Sequence, residues 1–166
     1  AGKDDVSLEE KKIVLDTFGY FLVDQKEYNQ AVEQWRQSLR IKDDAVIEMK
    51  LNMLLSSEFD DDQFLNKLEL MDDNRLSNEL NAERYDYIAR HRAKKKQFLS
   101  AIIAQKKALS FIETAERHYM LGNYFQANQQ NKESLEQFKL AADKDSSNTT
   151  FMSALGYAYS SNNQLN

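Results

Sequence analysis

The chain has 166 residues, 42% hydrophobic and 30% charged, with four glycines, no proline and no cysteine. Its formal charge of −5 argues against a general nucleic-acid-binding role, and no nucleic-acid partner is expected. Without cysteine there is no disulfide framework, no Cys-ligated zinc and no thiol nucleophile, so the compartment, cytoplasmic or periplasmic, cannot be read from the thiols.

No apolar run approaches the roughly 18 residues that a spanning helix needs, so no membrane insertion is expected. All-β chains need turn residues every 8–12 positions or so, and glycine and proline are too scarce here to supply them. Polar clusters punctuate instead, at Asp43-Asp44, Asp60-Asp61-Asp62, Asp72-Asp73-Asn74 and Asp145 to Asn148. The expected class is all-α. In chain order, Ile13, Leu15, Phe18 and Leu22 form the stripe of a first helix, and Ala31, Val32, Trp35 and Leu39 that of a second. Met49, Leu51, Met53 and Leu54 predict a third helix, followed by a short one carrying Phe64, Leu65, Leu68 and Leu70. From about Asn81, Tyr85, Tyr87 and Ile88 share one helix, and Phe98, Ile102, Ile103 and Leu109 line the next.

Self-similarity is more informative than helix counting. Gly122 and Gly156 lie 34 residues apart, and Gly19 precedes Gly122 by 103, three such periods plus one residue. Ala31, Trp35 and Ser38 follow Gly19 by 12, 16 and 19 residues, and Ser134, Phe138 and Ala141 follow Gly122 at the same offsets. Small, aromatic, small at fixed distances from a glycine describes two helices packed closely around a ring.

These residues resemble the tetratricopeptide repeat family, whose 34-residue units carry a W-x2-L-G-x2-Y…A-x3-F…P signature. Leu15, Phe18, Gly19, Leu22, Ala31, Trp35 and Ser38 fill its slots in one unit. His118, Leu121, Gly122, Phe125, Ser134, Phe138 and Ala141 fill them in another, and Met152, Leu155, Gly156 and Tyr159 in a half-unit. Asp43 and Ser146 stand where the family has proline. The resemblance implies an α-solenoid of antiparallel helix pairs forming a single domain. Its units are 12–45, 46–80, 81–114 and 115–148, with an unpaired helix over 149–166 and the extra residue somewhere in the two middle units. A helix that closes such a stack is normally polar, yet this last one carries Met152, Leu155, Tyr157 and Tyr159. The chain therefore reads as part of a longer one, or as ending in a helix that docks or self-associates.

The resemblance also implies binding of a peptide or protein partner along a concave groove lined by the first helices. Carried over by position, the groove residues are Asp16, Tyr20, Asp24, Tyr119, Asn123, Gln126, Ser153 and Tyr157, with Lys50, Tyr85 and Arg92 from the middle units. Asp16 and Tyr20 stand where the subclass that grips chaperone carboxylate tails has Lys and Asn, which disfavours that ligand. The segment from Ser147 to Ala158 is also similar to repeats in bacterial envelope proteins, including phage-adsorption and exopolysaccharide-export proteins. That likeness implies an alternative, a periplasmic module binding polysaccharide or a membrane partner.

Other clusters carry less chemistry. Glu58 to Asp73 holds seven acids against Lys67, but no glycine follows Asp62 as a calcium loop requires, so a helix cap is expected there. Arg84 to Lys107 holds eight basic residues against Asp86, which is either a docking surface for an anionic ligand or a solvated helix face. His91 and His118 have no metal-ligand spacing, and His118 stands in a packing slot. No nucleophile elbow or phosphate loop is present, so no catalytic residue, metal or cofactor is expected. The expected function is a non-enzymatic interaction scaffold.

Overall fold

The computed structural model describes residues 7–59 and 62–163. Asp60 and Asp61, the centre of the acidic cluster, lie outside the described residues. Among those residues the chain forms nine α-helices and one 3-10 turn, Asp73–Arg75. They are α1 (Leu8–Asp24), α2 (Tyr28–Ile41), α3 (Ala45–Phe59), α4 (Asp62–Leu70), α5 (Asn78–Lys94), α6 (Phe98–Phe111), α7 (Ala115–Ala127), α8 (Asn131–Lys144) and α9 (Thr149–Asn163). Two compact units result, Ala1–Leu76 and Ser77–Asn166.

The odd-numbered helices start on side-chain caps that satisfy the first free N–H groups. Ser7 and Glu10 form a capping box on α1. Asp44 accepts from the N–H groups of Val46 and Ile47 at 3.0 and 3.2 Å, Ser77 and Thr114 cap α5 and α7, and Asn148 accepts from Thr150. Proline is thus replaced by polar caps one or two residues past the slot where the family carries it. By contrast, α2, α6 and α8 have no side-chain cap and emerge directly from a tight turn. Lys26, Lys96 and Gln129 hold φ near 60° there, and the next residue's N–H returns to Leu22, Arg92 and Phe125. That closes each preceding helix with a Schellman motif built on a residue that bears a β-carbon.

The three turns give the repeat frame. Counting back seven residues from each left-handed residue reaches Gly19, Ala89 and Gly122, and Met53 and Gly156 complete the series. The intervals are 34, 36, 33 and 34 residues, so the net single insertion is two residues gained before Ala89 and one lost after it. In this frame each first helix carries a stripe spaced four and then three residues. The stripe is Leu15, Gly19 and Leu22 in α1, Met49, Met53 and Ser56 in α3, Tyr85, Ala89 and Arg92 in α5, and His118, Gly122 and Phe125 in α7. All twelve residues are buried.

Packing around the glycines is tight. A β-carbon on Gly19 would sit 2.3 Å from Trp35 Nε1, and one on Gly122 would sit 2.6 Å from a Phe138 ring carbon. In the first unit Trp35 joins Val32, Ile47, Leu51 and Leu55 in the core. In the second, Ala141, Ala142 and Phe151 form a cluster with Tyr119 and Leu155 against it. Ile103, expected in the core, is 66% exposed, because α6 buries Ala101, Ile102, Ala104, Gln105 and Ala108 instead.

A buried charge cluster ties α1 to the start of α3. Lys12 Nζ donates to Asp16 Oδ2 at 2.6 Å and to Asp44 Oδ2 at 2.9 Å. Burial opposes charge on both partners, but the hydrogen bonds prevail and raise Lys12 above its ordinary value. Asp44 is held below its own, by Lys12 and by the N–H groups of Ile47 and Val46.

Gly19→Ala and Gly122→Ala are expected to destabilise their units by about 1–3 kcal/mol through overpacking against the ring, measured by urea unfolding. Lys96→Gly and Gln129→Gly are expected to stabilise by up to about 1 kcal/mol, seen as a raised Tm, because they relieve a left-handed β-carbon. The stability contributed by Asp44 is present above its ordinary value of 3.8 and is lost as pH falls through its depressed folded value. The contribution of Lys12 is present below 10.5 and is lost as pH rises through its raised folded value. Lys12→Met is therefore expected to unfold more easily at neutral pH and to show a shallower acid limb in urea titrations.

Candidate partner-binding site

In the first unit the groove positions divide into tied and open side chains. Asp16 is half-buried; besides Lys12 it accepts from Ser38 Oγ, and its carbonyl accepts from Trp35 Nε1 at 3.3 Å. That carboxylate holds α2 on α1. Tyr20 is 40% exposed and stands edge-on to Trp35 with ring centroids 5.2 Å apart. Asp24 is exposed and Lys50 is half-buried.

In the second unit two expected groove residues are corrected. Tyr85 and Arg92 belong to the buried stripe of α5, 7% and 9% exposed. Tyr85 stacks on Phe111 at 5.9 Å with Arg84 and Lys107 over its ring, and Arg92 Nη1 donates to Gln97 Oε1 at 3.1 Å. The expected frame was one residue early, because Ala89 replaces the glycine that anchors the alignment and Gln105 replaces the aromatic. The signal that marks the right frame is Ala101, Gln105 and Ala108 at offsets of 12, 16 and 19 from Ala89.

The residues that do occupy the positions of Asp16 and Tyr20 in α5 are Asp86 and Arg90. Asp86 accepts from Gln105 Nε2 at 2.9 Å, from Arg117 Nε at 2.9 Å and from Arg117 Nη2 at 2.8 Å, linking α5, α6 and α7. Arg117 Nη1 also donates to the Ile112 carbonyl at 3.0 Å. Arg90 is exposed, and its Nε donates to the Asp86 carbonyl at 3.4 Å. Asp86, Arg90, Gln105, Glu116 and Met120 line a cavity of about 220 Å³. Close by, the Tyr124 hydroxyl is buried without a hydrogen-bond partner. Burial pushes it up to about 12, with the Arg90 charge lowering it and the Asp86 carboxylate raising it.

Along α7 and α9, Tyr119 is half-buried between Phe138 and Phe151, at 5.8 and 5.2 Å, and so packs against both neighbouring helices. Asn123 and Gln126 are half-buried, Ser153 is exposed and Tyr157 is 64% exposed. His118 is buried, with Nδ1 2.8 Å from Gln137 Oε1 and Nε2 2.8 Å from Glu113 Oε1. Hydrogen bonding from His118 and then Lys144 holds Glu113 below the usual carboxylate range.

The basic stretch is only partly presented. Arg84 is fully buried and Arg92 nearly so, leaving Arg90, Lys94, Lys96, Lys106 and Lys107 exposed. Among the described residues no three His, Asp or Glu side chains are grouped to hold a metal ion, and no helix is long and apolar enough to cross a membrane.

No protein-family model and no curated protein matches the chain. Solved structures do. MamA residues 41 to the end from Desulfovibrio magneticus RS-1 superposes with a TM-score of 0.77 at 14% identity, over 95% of this chain and 88% of that one. A second crystal structure of MamA gives 0.74 at 16% identity, over 92% and 82%. A third, of MamA from AMB-1, gives 0.69 at 15% identity, over 92% and 83%. At such identity the likeness speaks for the fold. The chain folds as a tetratricopeptide-like helical repeat, the fold it shares with MamA.

Proposed function

We propose that the chain is a non-enzymatic interaction scaffold that binds an extended peptide segment of a protein partner across the first-helix side of α5 and α7. The observation that carries this reading is the cavity lined by Asp86, Arg90, Gln105, Glu116 and Met120. Asp86 is satisfied by Arg117 and Gln105, so Arg90 and Glu116 are left as the outward charges. A segment with an acidic side chain for Arg90, an amide or basic one for Glu116 and an apolar one for Met120 complements this lining. Half-buried Asn123 and Gln126 extend the surface along α7 and supply backbone-directed hydrogen bonds of the kind an extended peptide needs. The repeat fold supports the reading as well, because stacked helices present such surfaces on rigid elements.

Selection of a displayed random-peptide library against the chain tests the proposal. Peptides enriched on the chain are expected to lose affinity by about tenfold or more on Arg90→Glu and on Asn123→Ala, with unchanged far-ultraviolet circular dichroism. Failure to enrich any peptide, or binding indifferent to both substitutions, overturns it. Loss on Arg90→Glu alone with steep salt weakening identifies a purely anionic ligand and refutes the peptide reading.

A further inference from the structure

The last helix repeats a pattern whose counterpart is buried everywhere else. At the positions of Leu15, Gly19 and Leu22, α9 carries Met152, Gly156 and Tyr159. Its other face is covered, since Phe151 and Ala158 are 2% and 3% exposed and α9 packs on α8. The stripe itself is open: Met152 and Tyr159 are each 47% exposed, and a β-carbon on Gly156 would meet nothing within 4 Å. Gly19 and Gly122 each lie under an aromatic ring from a second helix. Gly156 has the same sequence setting, Leu-Gly, and no ring above it.

We propose that the Met152–Gly156–Tyr159 face of α9 is a docking site for an amphipathic helix of a partner polypeptide. That helix presents a small residue, an aromatic four residues later and a small residue three beyond. The two glycine-centred pairs of the chain supply the template. In α2 the three positions are Ala31, Trp35 and Ser38, and in α8 they are Ser134, Phe138 and Ala141, all 2% exposed or less. Small residues let the helix axes approach, and the ring fills the space over the glycine. No acid or base occurs from Thr149 to Asn163, so the face selects by shape and apolar contact rather than by charge. A second folded copy does not fit the requirement, because its own α2 and α8 stripes are already seated on Gly19 and Gly122. The occupant is therefore a helix whose aromatic stripe is free in the partner.

The probe is a fluorescein-labelled peptide of residues 131–144 of this chain with blocked ends, titrated against the 166-residue chain by anisotropy. Binding is expected in the range of about 10–100 μM, because a 14-residue helix must be ordered on docking. A peptide carrying Phe138→Ala is expected to bind about tenfold or more weakly. Gly156→Leu in the chain is expected to abolish binding while leaving the thermal transition in place, since a side chain there enters open space. A peptide that does not bind at about 1 mM, or that binds Gly156→Leu as well as the parent chain, overturns the proposal. So does a concentration-dependent dimer, seen by sedimentation, that Gly156→Leu disperses, because a second copy is then the occupant. The Arg90→Glu variant keeps its affinity for this probe, which separates the site from the α5–α7 surface.

Discussion

A ring laid over a residue with no side chain sets the separation of the two helices in a pair, and much of the molecule is arranged around that contact. Trp35 covers Gly19 and Phe138 covers Gly122, each so closely that a methyl group would collide. Such proximity requires small residues beside the ring, which is why Ala31, Ser38, Ser134 and Ala141 are almost wholly buried. It also brings polar groups within reach. Ser134 Oγ donates to the Gly122 carbonyl at 2.9 Å, and Trp35 Nε1 to that of Asp16. The ring thus excludes water and the hydrogen bonds fix the register of one helix on the other.

The α5–α6 pair solves the same problem without a ring. Gln105 stands in the aromatic slot, 1% exposed, and Ala89 replaces glycine because an amide is slimmer than an indole or a phenyl. A buried amide needs partners, and Gln105 finds one in Asp86, which in turn engages Arg117 on the next helix. Replacing a hydrophobic contact by a polar chain has a consequence for the surface. Asp86 is occupied internally, while Arg90 and Glu116 remain facing outward around the cavity. Asp16 plays the parallel part in the first pair, where its carboxylate is shared between Lys12 and Ser38. A carboxylate at this repeat position is a strut between helices, not a ligand-facing group.

Periodicity explains why the helices and two of the pairs were legible in the residues while part of the site was not. Gly19 with Trp35, and Gly122 with Phe138, are distinctive letters at equal spacing, and they anchor their units without ambiguity. Ala89 and Gln105 are ordinary letters, so the frame of the third pair rested on counting from its neighbours. Consecutive residues on a helix point about 100° apart, so an error of one residue turned Tyr85 and Arg92 outward on paper and left Asp86 and Arg90 unnoticed. The basic stretch failed in a related way, because composition does not say which arginines lie inside the helix pair, and Arg84 and Arg92 do.

The sequence by itself determined the helical class, the repeat, the polar punctuation and the glycine–aromatic pairing, because each is a property of residues near one another along the chain. Capping residues, apolar spacing and small-large complementarity act over at most one repeat length, and they leave a mark that counting recovers. The tertiary structure decided the frame of the α5–α6 pair, the sharing of Asp16 and Asp86 between helices, the unpartnered Tyr124 hydroxyl beside the cavity and the vacancy above Gly156. Those depend on which side chain from one helix meets which space on another. Such meetings are set by packing across helices, where a substitution such as Gln105 for a ring changes every neighbour it touches while leaving the helical pattern of the sequence unaltered.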